Sequence, residues 1–181
     1  MNYIKKNMKF YDFDELCSDD DSKIVVKFHD YIDSVTYSDL KFNNDSEMYE
    51  SKKKILIEFI GKIFNKIFET NCIIKKYNEK WVINKEEASD LAITLNNGLV
   101  TNKLKGGLLV DKNDKIVELF IESVFKYNSF IQIIFQDSKL IITPTDHMDI
   151  FFHSYNMNEL KNLIIDNLNS YRNVLTYEMT F

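Results

Sequence analysis

Glycine, proline, cysteine and arginine are all scarce in this chain. Its 181 residues include Gly 4, Pro 1 and Cys 2, and Arg172 is the sole arginine. The glycine shortage excludes the common phosphate cradles. There is no GxGxxG and no GxxxxGK[ST], and Gly106-Gly107 lacks both the third glycine and the Lys-Ser/Thr pair that such loops need. No GxSxG nucleophile elbow is present either. A single proline, Pro144, with so little glycine predicts regular elements joined by short connections, without a long linker. Cys17 and Cys72 lie far apart, with no CxxC and no Cys/His ligand spacing, so both read as reduced thiols of a reducing compartment.

The missing arginines exclude another class. Arginine supplies the planar forks that clamp phosphate and read guanine, and the net charge here is −5 with a pI near 5.3. Non-specific binding to nucleic acid through a basic surface is therefore not expected. A chain of this charge more readily imitates nucleic acid than binds it. No apolar run approaches the ~18 residues that a membrane helix requires. The positive start Met1–Lys6 leads into an acidic stretch and not into an apolar core, so no signal peptide is read there and a cytoplasmic location is expected.

What the chain does have is apolar and aromatic mass. Hydrophobic residues make up 45%, aromatic residues 14% and charged residues 28%, a globular composition. A chain of this length buries roughly 70% of its unfolded surface, enough to hold a core without disulfides or metal. One domain, 1–181, is expected, with 1–22 a loosely ordered acidic segment. Abundant Lys, Ile and Asn beside one arginine suggest coding in an AT-rich bacterial or phage genome.

Hydrophobic periodicity places the elements. Ile24-Val25-Val26 begins a strand reaching about Tyr31, and Val35, Tyr37 and Leu40 predict a second strand that completes a hairpin. After Asp45 and Ser46 come the pairs Ile55-Leu56, Phe59-Ile60, Ile63-Phe64 and Ile67-Phe68, four residues apart, which predict a long helix with one wide apolar stripe. Cys72-Ile73-Ile74 and Trp81-Val82-Ile83 read as a short hairpin. Asn84 and Glu87 form a capping box that opens a helix through Leu95, ended by Asn96-Asn97-Gly98. A loop around Gly106-Gly107 precedes a further helix from about Asp111 to Asn128. Strands follow at Phe130–Gln136, Lys139–Thr143 and Met148–His153, the first two joined at Asp137-Ser138 and the second stopped by Pro144. Asn156 and Glu159 cap a last helix, with Met157, Leu160, Leu163, Ile164 and Leu168 inward. Leu175, Tyr177, Met179 and Phe181 alternate on a final strand. Because the strands cluster, the expected class is α+β, a largely antiparallel sheet packed by three to four amphipathic helices.

Two constellations could carry function. Asp12, Asp14, Glu15, Asp19, Asp20 and Asp21 crowd one short span; they form either a solvated loop or a docking surface for a basic partner. His147, Asp149 and His153 share strand parity and include types that bind zinc, so a small metal-dependent hydrolase is an alternative. Against that, ~20 Å of extended strand would separate His147 from His153, too far for one ion. Asp111-Lys112-Asn113 with Glu122 imitates a calcium loop, but Lys115 and Ile116 stand where an oxygen ligand and a glycine are needed. No catalytic residue, metal ligand or cofactor is assigned.

From Phe130 to Asp166 the order is strand, tight turn, strand, then Pro144-Thr145-Asp146-His147 leading into Met148-Asp149-Ile150-Phe151-Phe152, then a capped helix. This segment resembles the small immunity proteins of bacterial polymorphic-toxin and contact-dependent inhibition systems. The resemblance implies a non-enzymatic protein that binds and blocks a cognate toxin or nuclease; it carries over no individual residue. A third possibility is a subunit of a larger assembly, paired through the edge of the final strand.

Overall fold

The computed structural model describes residues 2–3, 22–30, 46–76, 107–127 and 131–180. Eight strands and three helices appear among them. In chain order they are β1 (Asn2–Tyr3), β2 (Lys23–Phe28), α1 (Ser46–Lys66), β3 (Asn71–Lys76), β4 (Gly107–Asp111), α2 (Lys115–Tyr127), β5 (Ile131–Phe135), β6 (Leu140–Pro144), β7 (Asp149–Ser154), α3 (Met157–Leu168) and β8 (Leu175–Thr180). The strands form one sheet in the order β1-β4-β3-β5-β6-β7-β2-β8. Every pairing is antiparallel. The fold is α+β, as the clustered strands predicted.

One face of the sheet carries the main core. Ile24, Val26, Ile74, Leu108, Ile133, Ile142, Ile150 and Phe152 project to it by strand parity, and all pack with Leu56, Phe59, Ile60 and Ile63 of α1, Phe120 and Val124 of α2, and Leu160 and Ile164 of α3. Edge-to-face rings join the layers, Phe59 to Phe152 at 6.3 Å and Phe64 to Phe135 at 5.4 Å. α1 touches both other helices. It runs antiparallel to α2, since the Tyr49 hydroxyl at its start donates to the Phe125 carbonyl near the end of α2, at 2.6 Å. The opposite face is buried in part as well. Leu109, Ile73, Ile134, Ile141 and His153 stand in register as one transverse row across five strands. Ile73, Ile134 and Ile141 are each 1% exposed, yet lie outside the cluster that the three helices complete.

Several expectations change. The Cys72–Ile74 strand, expected to form a hairpin with Trp81–Ile83, has β4 and β5 on its two edges; Trp81–Ile83 itself lies outside the described residues. Gly107–Asp111, expected as loop and helix start, is a strand, and α2 begins four residues later. There Asp114 caps the helix by accepting the Ile116 N–H at 3.1 Å. The last helix begins as its capping box predicts, with the Glu159 N–H donating to the Asn156 side chain at 3.3 Å. Val35–Leu40, the helix at Asn84–Leu95 and Phe181 lie outside the described residues. No described helix is long and apolar enough to cross a membrane.

Candidate interaction site

The structure separates the residues that sequence reasoning nominated. Asp12, Asp14, Glu15, Asp19, Asp20 and Asp21 lie outside the described residues. His147, Asp149 and His153 do not form one constellation. Met148 adopts φ 59°, which breaks the strand alternation, so His147 stands on the turn before β7 and is exposed. Asp149 and His153 are buried, four residues apart on β7, and ~13 Å of strand separates such positions. Among the described residues no three His, Cys, Asp or Glu side chains are grouped to hold a metal ion.

The turn itself is well ordered by its own polar groups. The Thr145 hydroxyl donates to the Asp149 carboxylate and accepts the His147 N–H, while the Thr145 and Asp149 backbones pair at 3.0 Å. Burial pushes the Asp149 carboxyl above its ordinary value, against the lowering effect of the Thr145 hydrogen bond and the nearby His147. These contacts fix a β6–β7 connection. They align no nucleophile with a base.

A different feature stands out at the other end of the sheet, where α1 passes into β3. The helix stops at Lys66 because its terminal carbonyls find a partner far away in sequence. The Lys112 ammonium donates to the Phe64 oxygen at 2.8 Å and also to the Ile67 oxygen. Ile67 turns into the core, and Phe68 is thrown fully into solvent, with 101% exposure. Sequence periodicity had placed Phe68 on the buried stripe. That inference required the helix to continue two residues further, and the contact that closes its end comes from a residue 45 positions beyond Ile67.

Glu69 follows. Its two carboxylate oxygens accept the Asp137 N–H at 3.0 Å and the Ser138 N–H at 2.8 Å, fastening the β5–β6 turn to the start of β3. Between these segments lies a cavity of about 390 Å³. Ile73, Leu109 and Ile134, the end of the transverse row, line it together with Phe68, Glu69, Thr70, Asn71, Gln136 and Asp137. Cys72 also lines it, and burial, with the Asp111 and Glu69 charges adding, pushes its thiol up to about 12. A second cavity, about 220 Å³, lies between α1 and the start of α2. The signal that could have drawn attention to the first site is the dipeptide Phe68-Glu69 just before a strand, but nothing local says which way the ring turns.

Compared with known proteins, the chain matches no family, no curated protein and no solved structure.

Proposed function

We propose that this chain is a non-enzymatic binding protein, an immunity protein or comparable inhibitor that neutralises a basic toxin or nuclease by covering its active site. The observation that carries this reading is Phe68, a fully exposed aromatic side chain flanked by the carboxylates of Glu69 and Asp137. Aromatic side chains are frequent anchors of protein interfaces, and acidic neighbours favour a basic counterpart. The net charge of −5 agrees. So does the acidic group Asp12, Asp14, Glu15, Asp19, Asp20 and Asp21, which would speed encounter with such a partner.

The test is capture of the tagged protein from its native host at low salt, followed by intact-complex mass spectrometry. A stoichiometric basic partner that salt releases is the expected result. Recovery of the protein alone would remove the reading. Replacing Asp19, Asp20 and Asp21 by asparagine is expected to slow association and flatten its salt dependence; unchanged kinetics would remove that segment from the interface.

A second reading, a subunit of a larger assembly, has one observation in its favour: β8 closes the described sheet with β2 as its single strand neighbour. Sedimentation at several concentrations distinguishes it, since only this reading expects self-association.

A further inference from the structure

We propose that the cavity beside Phe68 is a receptor for a cationic side chain, an arginine in the first place, presented by a basic protein partner. The proposal rests on the binding function just argued and names the place where the partner is gripped.

Three independent features converge on one occupant. The floor is apolar, made by Ile73, Leu109 and Ile134, which suits the methylene stem of a long side chain. The rim is built of acceptors, and both charged residues among the described lining are acidic, Glu69 and Asp137. Neither forms an ion pair with a described cation. Phe68 stands at the mouth with its ring open to solvent, where a guanidinium can stack on it. The volume of about 390 Å³ falls in the range of small-ligand sites, and leaves room for a guanidinium with its stem.

Glu69 makes the receptor rigid before anything binds. Two backbone N–H groups hold its carboxylate at 3.0 and 2.8 Å, so no side-chain freedom is lost when a cation arrives. A carboxylate has about four acceptor positions, so about two stay available for a guanidinium fork. Lys112 is committed to the carbonyls of Phe64 and Ile67. An uncharged peptide would leave this rim without its complement, and an anion would be repelled.

The experiment is a titration of the ¹⁵N-labelled full chain with acetyl-arginine amide, using the uncharged isostere acetyl-citrulline amide as control. Amide shifts are expected at Glu69, Thr70, Asn71 and Gln136 to Ser138 with arginine and not with citrulline. Phe68→Ala is expected to weaken binding about 3-fold through the lost ring contact. Asp137→Asn is expected to weaken it by a similar factor. Because both side chains are exposed, neither variant threatens folding. Equal shifts with citrulline, shifts spread over the acidic surface, or an undiminished affinity of Phe68→Ala would each overturn the proposal. Its failure is separable from that of the binding function. A partner captured equally by wild type and Phe68→Ala would remove the receptor and keep the function. Local arginine binding with no partner captured would do the reverse.

Discussion

The ammonium of Lys112 sits 2.8 Å from the carbonyl oxygen of Phe64 and caps a helix to which it is not covalently near. This contact ties the β4–α2 connection to the C-terminus of α1 and decides where that helix ends. A cation at this position satisfies orphan carbonyls and opposes the negative end of the helix dipole. Lys112→Met keeps the stem and deletes the charge. It is expected to cost about 1–2 kcal/mol in urea denaturation and to speed amide exchange in the last turn of α1. An unchanged midpoint would show that solvent caps the helix equally well.

Gly61 interrupts α1 without visible reason. A Cβ built there meets nothing within 4 Å. In a helix interior, glycine costs backbone entropy that alanine does not, so Gly61→Ala is expected to stabilise the protein by about 0.5–1 kcal/mol. A thermal melt decides it. Destabilisation would mean that something occupies the adjacent cavity bounded by Gly61 and Asn113.

Asp149 should give stability a distinctive pH dependence. Its folded-state pKa lies above the ordinary 3.8, so between those two values the folded state holds more protons than the unfolded one. Stability contributed at this site therefore falls as pH rises from about 3.8 through the folded value, and is flat above it. Asp149→Asn removes the titration and leaves an oxygen to accept from Thr145. The difference in melting temperature between variant and wild type is expected to grow in favour of the variant from pH 4 toward neutrality. Asp30 has the opposite sign. The Lys52 ammonium, 2.7 Å away, lowers its pKa, and that contribution is lost as pH falls through the ordinary carboxylate range.

Cys72 is 1% exposed, and its thiol is pushed up to about 12. Attack on a disulfide reagent needs the thiolate, which is scarce at pH 8 for such a group. In a Cys17→Ser background the remaining thiol is expected to react with Ellman's reagent at the rate of unfolding. Reaction as fast as a free cysteine would place Cys72 within reach of solvent through the neighbouring cavity.

The local signals in the sequence were read correctly where the structure depends on them alone. The four-residue spacing from Ile55 to Ile67 describes a helix face that needs burial whatever covers it. Asn156 and Glu159 sit within one helical turn, so the start of α3 was legible directly. The β5–β6–β7 meander was legible too, because each connection is short and its turn residues are adjacent in sequence.

The α+β class, most of the described segments and the core-facing side of the amphipathic ones were legible in the residues alone. Tertiary structure alone decided the rest. β3 pairs with β4 and β5, both distant in sequence, because strand edges are chosen by all the competing strands together and not by the nearest one. The strand character of Leu108-Leu109-Val110 is fixed by its neighbours, since a short apolar run carries no period of its own. Phe68 is exposed and not buried because α1, closed by Lys112 from a distant part of the sequence, ends two residues before the hydrophobic pattern does. Periodicity is a property of a few consecutive residues; a cap, a strand edge and a cavity are made by groups that meet only once the chain has folded.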